Sequence, residues 1–169
     1  ARPRIATLLT DFGTRDPYVA EMKGTILEIC PEATLVDITH EIPPQDVLAA
    51  AFTLVQAAPR FPKGTVHVVV VDPGVGTQRS ILALQYGGQR FICPDNGVIS
   101  LIAQRYPIES LFSVRNARYF APDGASQTFQ GRDIFAPAAA HLLNGVPISR
   151  LGEQPGKPML LDIPQPEAA

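Results

Sequence analysis

The stretch "TVHVVVVDPGVGTQRS", residues 65–80, decides the fold because it begins as an almost uninterrupted run of apolar, mostly β-branched residues. Such runs are typical of strands that are covered on both faces of a parallel sheet. The run ends abruptly at Asp72, and a segment with two glycines then leads to Arg79. Because a carboxylate and a guanidinium follow the end of a buried strand, we look for a functional site at that end.

The segments around this strand alternate between strand and helix patterns. In the first half, the periodicity predicts strands at 5–10, 33–39 and 65–71 and helices at 17–30 and 46–58. In the second half, it predicts a hairpin at 81–93, a helix from near Asn96 and Gly97 to 106, a strand at 110–116 and a helix at 132–145. This order predicts an α/β fold, with a mostly parallel sheet and helices on both faces.

Composition limits the classes of protein. A chain of 169 residues with 46% hydrophobic and 18% charged residues predicts a compact domain, which we place at 1–152. A net charge of −2 gives no electrostatic case for nucleic acid, and no apolar run approaches the length of a membrane span. The N-terminus lacks the apolar core of a signal peptide, so we expect a cytoplasmic protein. Cys30 and Cys93 have no metal-ligand spacing, so we expect two buried reduced thiols and no metal site.

Polar side chains stand at the ends of the first three predicted strands. They are Asp11 after the first, Asp37, Thr39 and His40 at the second, and Asp72 after the third. Ligands bind beyond the carboxyl ends of parallel strands, although any one Asp there can serve as a turn or helix cap. Of the three histidines, only His40 is retained as a candidate. His67 lies within a strand and is expected in the core, and His141 is expected at the surface or a helix end.

Two further motifs carry candidate residues. "PDNG", residues 94–97, places Asn96 in a turn that needs no ligand to explain it. "TFQGRDIF", residues 128–135, places Gln130 and Asp133 before a predicted helix, where Asp133 could act as the N-cap with Arg132 as its ion-pair partner. No phosphate-binding loop and no nucleophile elbow is present in the sequence.

Five ordered stretches resemble one family. "LLTDFGTRDPYVAEMKG", "VDITHEIPPQDVLAA", "FPKGTVHVVVVDPGVGTQR", "CPDNGVISL" and "TFQGRDIFAPAAAHL" are similar to the S-adenosyl-L-methionine hydroxide adenosyltransferases, relatives of the fluorinase and chlorinase enzymes. The resemblance implies a Rossmann-like N-terminal domain that hydrolyses S-adenosyl-L-methionine to adenosine and L-methionine. The resemblance further implies that water or hydroxide attacks the ribose C5′, that no cofactor takes part and that the full-length protein is a homotrimer.

The resemblance also implies roles for individual residues. Asp72 and Arg79 match two members of an Asp-Arg-His trio around the attacking water, and Gln130 stands at the position of the third. Asp11 is expected to bind the ribose hydroxyls, and Asn96 and Asp133 are assigned with it to substrate binding. In the halogenases the position of Asp72 is typically Tyr. A carboxylate would repel an incoming halide, so halogenase activity is disfavoured.

Two departures from the family pattern leave an alternative open. The family usually reads "TFHGRD", and Gln130 cannot take a proton near neutral pH as His can. Family members also continue into a β-barrel that forms the adenine pocket with a neighbouring subunit. We expect residues 153–169 to be a linker or tail toward such a barrel, which this chain lacks. The alternative is a protein that binds adenosine or S-adenosyl-L-methionine with weak or no turnover.

Overall fold

A computed structural model describes residues 3–73, 79–122, 124 and 128–163 of the chain. The strands are β1 (Ile5–Thr10), β2 (Thr34–Thr39), β3 (Val66–Val70), β4 (Ile81–Tyr86), β5 (Gln89–Pro94), β6 (Ser110–Val114) and β7 (Gly152–Glu153). The α-helices are α1 (Tyr18–Ile29), α2 (Val47–Ala57), α3 (Ser100–Arg105) and α4 (Ala136–Leu143). Short 3₁₀ turns span Ala58–Arg60, Ala117–Tyr119 and Ile148–Leu151, and one π-helical segment spans Gly131–Phe135.

Within the described residues, the strands form one sheet in the order β2-β1-β3-β5-β4-β6-β7. The first four strands in this order pair in parallel, and β4, β6 and β7 add antiparallel pairings at the other side. The predicted α/β fold and the predicted hairpin of β4 and β5 are therefore confirmed. In the register of β1 with β3, Thr10 lies opposite Val70. The carboxylates that follow these strands, Asp11 and Asp72, consequently lie at the same edge of the sheet.

Helices cover both faces of the sheet, as predicted. Helices α1 and α4 pack on one face through buried residues such as Met22, Ile26 and Ala139. Helices α2 and α3 pack on the other face through residues such as Leu54 and Ile102. Because β1 and β3 are buried between these two layers, the polar residues after them are held on a rigid base.

Two predicted helices begin differently in the structure. Helix α3 starts at Ser100, because Asn96 and Gly97 form a turn in which Asn96 Oδ1 accepts a hydrogen bond from the Val98 amide at 3.1 Å. The Ser100 hydroxyl donates to the Gly97 carbonyl at 2.6 Å and closes that turn. The predicted helix at 132–145 is split into the π-helical segment and α4, which ends at Leu143 before a positive-φ Gly145.

The sequence also predicts that one histidine and both cysteines lie in the core. His67 is fully buried and its ring nitrogens lie 2.6 Å from Thr7 Oγ1 and 3.0 Å from Gln89 Oε1, so it is a satisfied core histidine as expected. Cys30 and Cys93 are buried and form no disulfide, also as expected. Among the described residues, none of the helices combines the length and the apolar composition that a membrane span needs.

The segment after β7 crosses the turn that precedes α3. The Met159 amide donates to Asp95 Oδ1 at 2.8 Å, and the Leu161 amide donates to Ser100 Oγ at 2.7 Å. The Leu161 side chain lies over Gly97, where a Cβ would approach it to 2.6 Å. Position 97 therefore requires glycine for two reasons, its φ of +90° and the close approach of the Leu161 side chain.

We predict that Gly97→Ala lowers the free energy of unfolding more than Gly145→Ala does. Gly145 has a similar φ of +95° but open space around its Cβ position, so its variant reports the backbone cost alone, about 1–2 kcal/mol. Urea denaturation of both variants measures the difference. Adding Leu161→Ala to Gly97→Ala should remove the excess loss, and equal losses in the two single variants would contradict the close packing of Leu161.

Candidate functional site

A cavity of about 510 Å³ opens at the carboxyl edge of the parallel strands. Its walls come from the residues after β1 and β3, from the first turn of α1 and from the segment that contains the π-helical turn. This is the edge at which ligands bind in open α/β sheets. Three of the predicted site residues, Asp11, Asp72 and Gln130, line it.

Arg79 joins Asp72 and Gln130 into one hydrogen-bonded group. Arg79 Nε donates to Asp72 Oδ2 at 2.8 Å, and Nη2 contacts the same oxygen and donates to Gln130 Oε1 at 2.7 Å. The Asp72 side chain is only 3% exposed and that of Arg79 only 11%. Charge pairing in such a shielded position is much stronger than at the surface. Residues 74–78, the glycine-containing segment between the two partners, lie outside the described residues.

Asp11 is oriented by a backbone amide. Its Oδ2 accepts a hydrogen bond from the Gln45 amide at 2.7 Å. Gln45 is the one described non-glycine residue with a positive φ, at 63°. Non-glycine residues in this conformation are uncommon and often occur at functional sites. The left-handed backbone of Gln45 turns its N–H toward the Asp11 carboxylate.

The lining of the cavity includes further charged side chains. Asp16 and Glu21 line it together with Arg132. Arg132 Nη1 lies 3.3 Å from Glu21 Oε2, and Arg132 Nε lies 2.8 Å from Asp133 Oδ1. Among the described residues that line the cavity, acidic side chains therefore outnumber basic ones, which favours a positively charged ligand.

Aromatic rings form the apolar part of the wall. The ring centroids of Phe12 and Tyr18 are 4.5 Å apart in an edge-to-face arrangement, and those of Tyr18 and Phe129 are 5.4 Å apart. The Arg132 guanidinium lies 4.9 Å from the centre of the Phe129 ring. Burial raises the pKa of the Tyr18 phenol despite lowering effects from the Arg132 and Gly131 region, so the phenol is neutral at ordinary pH.

The other predicted residues lie outside the cavity wall. Asn96 Nδ2 donates to the Val71 carbonyl at 2.9 Å, so this side chain holds the backbone directly before Asp72. Asp133 is buried and reaches the cavity through Arg132. The N-cap alternative for Asp133 is wrong, because Asp133 lies inside the segment Gly131–Phe135, but its ion pair with Arg132 is confirmed. Asp37 pairs with Lys23 and His40.

Sequence reasoning missed several residues of the wall. The sequence pattern predicts only a helix for Tyr18 and Glu21, although the stretch that starts at Asp11 runs directly into that helix. Gln45 was also missed, because its contribution is a backbone amide. The signal that could have indicated it is the Pro43-Pro44 pair, which predicts a turn just before α2.

Comparison with known proteins identifies the family of this chain. The family model of the SAM hydroxide adenosyltransferase N-terminal domain matches residues 6–152. The chain belongs to this family. The resemblance drawn from the five sequence stretches is thereby confirmed.

Three named relatives of the SAM hydroxide adenosyltransferase family are between 30% and 43% identical to this chain over the aligned residues. A protein of Thermus thermophilus named (R)-S-adenosyl-L-methionine hydrolase is 43% identical over 154 residues, which cover 86% of this chain and 59% of that protein. A protein of the same name from Methanocaldococcus jannaschii is 39% identical over 144 residues, covering 82% of this chain and 53% of that one. A fluorinase of an Actinoplanes species is 30% identical over 171 residues, covering 88% and 57%.

A solved structure shares the fold. The crystal structure of an uncharacterized conserved protein from Thermotoga maritima superposes with a TM-score of 0.93 at 40% identity, covering 98% of this chain and 63% of that one. The chain thus spans about three fifths of the length of these relatives. The α/β architecture around the cavity is shared with that structure.

We predict that Asp72 and Arg79 are strongly coupled in stability. In a double-mutant cycle of Asp72→Asn and Arg79→Gln, the coupling free energy should be about 1–3 kcal/mol, because either single change leaves a shielded polar partner behind. The exposed pair Arg4 and Glu32, with side chains 45% and 70% exposed, provides the control. Its cycle of Arg4→Gln and Glu32→Gln should give less than about 0.5 kcal/mol. Equal coupling in the two cycles would contradict a shielded ion pair.

Proposed function

We propose that this chain forms the catalytic domain of an enzyme that hydrolyses S-adenosyl-L-methionine to adenosine and L-methionine. The observation that carries the proposal is the contact of Asp72, Arg79 and Gln130 at the wall of a cavity that also holds Asp11. Support comes from relatives at 39–43% identity that are named (R)-S-adenosyl-L-methionine hydrolase.

The charge of the cavity wall suits this substrate. S-adenosyl-L-methionine carries a sulfonium and an ammonium group, and the wall includes Asp11, Asp16, Glu21 and Asp72. Three of these carboxylates already have partners: Asp72 pairs with Arg79, Glu21 with Arg132, and Asp11 accepts from the Gln45 amide. The wall is therefore acidic without being a cluster of bare charges, which favours binding of a cation at moderate desolvation cost.

The proposed step is an in-line displacement. A water oxygen bonds to the ribose C5′, the C5′–S bond breaks, and its electron pair neutralises the sulfonium to give the thioether of methionine. The water proton passes to the Asp72 carboxylate and then to solvent, so the products are adenosine, methionine and one proton. Because the sulfonium is already a good leaving group, the enzyme must mainly align the water and remove its solvation.

The remaining roles follow the same geometry. Arg79 holds Asp72 and stabilises negative charge that develops on the water oxygen, and Gln130 fixes the guanidinium through its Oε1. Asp11 binds the ribose hydroxyls, for which a carboxylate is suited as a double acceptor. Asn96 and Asp133 act on the substrate site through the Val71 backbone and Arg132, respectively.

The proposal extends to the whole protein in the terms that the family resemblance implies. At full length we propose a cytoplasmic homotrimer that uses no cofactor and has S-adenosyl-L-methionine as its small-molecule substrate. A halogenase reading is disfavoured, because Asp72 would place negative charge where a halide must enter. A binding protein with weak turnover is the second candidate, and Gln130 favours it because an amide cannot relay a proton.

We predict that the protein, at the full length that its gene encodes, releases adenosine from S-adenosyl-L-methionine and that two substitutions move the rate in opposite directions. Asp72→Asn should abolish release, because it removes the proton acceptor beside the water. Gln130→His should raise the rate, by up to the ~10²–10⁴-fold that general acid–base catalysis typically contributes. Chromatography of the products measures adenosine per enzyme, with and without chloride.

Each result that differs from this expectation supports a different interpretation of the protein. A halogenated nucleoside that appears only with chloride would show a halogenase. Binding of S-adenosyl-L-methionine by calorimetry without adenosine release in any variant would support the binding protein. Full activity of Asp72→Asn would remove Asp72 from the mechanism.

A further inference from the structure

A hydrogen-bonded chain with a buried centre runs from Asp37 to the loop around Asp11, and no step of the proposed reaction uses it. His40 follows β2 and is only 5% exposed. Its Nε2 lies 2.7 Å from Asp37 Oδ1, and its Nδ1 lies 2.8 Å from Thr10 Oγ1. Thr10 is fully buried, and its Oγ1 accepts a hydrogen bond from the Phe12 amide at 3.2 Å. The chain therefore runs from Asp37 through His40 and Thr10 to the backbone on both sides of Asp11.

The directions of these hydrogen bonds are mutually consistent. Burial raises the pKa of the Asp37 carboxyl, but hydrogen bonds from Lys23 and His40 outweigh it and leave this pKa below its usual value. A carboxylate accepts, so His40 Nε2 carries the hydrogen and donates to Asp37. With its hydrogen on Nε2, the His40 ring can accept at Nδ1 a hydrogen bond from the Thr10 hydroxyl. The Thr10 oxygen then accepts from the Phe12 amide, and every member of the chain has a donor matched to an acceptor.

Two backbone contacts fasten the same loop to the segment that follows His40. The Gly13 amide donates to the His40 carbonyl at 2.7 Å. The Gln45 amide donates to the Asp11 carboxylate at 2.7 Å. Residues 40–45 therefore hold Asp11 at its side chain and Gly13 at its backbone, while Thr10 holds Phe12.

The neighbouring strand offers a histidine with a purely structural role for comparison. His67 also bonds through Nδ1 to a buried threonine of β1, Thr7, at 2.6 Å. Its Nε2 lies 3.0 Å from Gln89, which in turn donates to the carbonyls of Ala58 and Phe61. None of these partners lines the cavity that contains Asp11. The two Thr–His pairs thus share their chemistry and burial. They differ in the residues to which their hydrogen bonds lead: the loop around Asp11 for Thr10 and His40, and the carbonyls of Ala58 and Phe61 for Thr7 and His67.

We propose that His40 is a positioning residue for Asp11, acting through Thr10 and through its own carbonyl, so that the Asp11 carboxylate is held ready for the two ribose hydroxyls. This inference rests on the ribose-binding role of Asp11 in the proposed function. A carboxylate that must bind two adjacent hydroxyls gains affinity when its orientation is set before binding.

The matched pair of threonines gives the test. Thr10→Val and Thr7→Val each remove one hydroxyl from β1 at nearly constant volume and each leave a buried histidine nitrogen without its partner. Calorimetry on the protein at the full length that its gene encodes measures the Kd for adenosine and for 2′,3′-dideoxyadenosine. Thr10→Val should raise the Kd for adenosine about 3- to 10-fold and leave that for dideoxyadenosine unchanged. Thr7→Val should lower the Tm and change neither Kd.

A double-mutant cycle separates positioning from general destabilisation. In an Asp11→Ala background, Thr10→Val should no longer change the affinity for adenosine, because the group that it positions is gone. His40→Ala should behave as Thr10→Val does, with His67→Ala as its control. If His40→Ala fails to fold, the two threonine variants still decide the question.

The outcomes distinguish this inference from the proposed function. Equal changes in adenosine affinity for the two threonine variants, or an undiminished effect of Thr10→Val in the Asp11→Ala background, would overturn the positioning role alone. A wild-type protein that binds adenosine but releases none from S-adenosyl-L-methionine would overturn the hydrolase proposal while the affinity comparison still stands. A wild-type protein that binds neither adenosine nor S-adenosyl-L-methionine would overturn both the positioning role and the hydrolase proposal.

Discussion

The parallel pairing of β1 with β3 is the constraint on which the site depends. The register sets Thr10 opposite Val70, so the two strands end side by side at one edge of the sheet. The polar residues that follow them, Asp11 and Asp72, therefore line the same cavity. Both strands are buried between two helical layers. A shift of this register by one residue would turn every side chain of a strand to the opposite face. The core that fixes the register therefore also fixes the distance between the two carboxylates.

The site is built from charges that the surrounding residues hold in place. Asp72 and Arg79 are shielded from water, and Arg79 also donates a hydrogen bond to Gln130. Asp11 accepts a hydrogen bond from the Gln45 amide. Preorganised groups of this kind need no rearrangement when charge develops in a transition state. The same logic extends outward to Thr10 and His40, which bond to the loop around Asp11 and not to the cavity. The residues just behind the wall therefore join the core to the cavity through hydrogen bonds.

Much of the fold could be predicted because its strands and main helices have clear periodicity. Strand β1 was predicted with the bounds that the structure shows, and the ends of α1, α2, β2 and β3 differ by a residue. The start of α3 was placed too early, because the side chain of Asn96 and the positive φ of Gly97 stabilise a turn that has the apolar pattern of a helix. The π-helical segment leaves no signature in the spacing of apolar residues.

The side chains of the candidate site could be predicted from the sequence, whereas the contribution of a backbone amide could not. Asp11, Asp72, Arg79 and Gln130 come together as expected from strand ends and from the family resemblance. The Gln45 amide could not be foreseen, because its role depends on a left-handed backbone at a residue that is not glycine. The link from His40 to the Asp11 loop also required the structure, since residues 30 positions apart meet only through the parallel pairing of β1 with β2.

The most direct test of this account follows the oxygen atom of the water. The reaction is run with S-adenosyl-L-methionine in ¹⁸O-labelled water, and both products are examined by mass spectrometry. Attack at C5′ beside Asp72 and Arg79 predicts adenosine that carries one ¹⁸O in its 5′-hydroxyl group and methionine without label. Unlabelled adenosine, or label in the amino-acid product, would contradict displacement at C5′ by water and with it the role assigned to the Asp72–Arg79 pair.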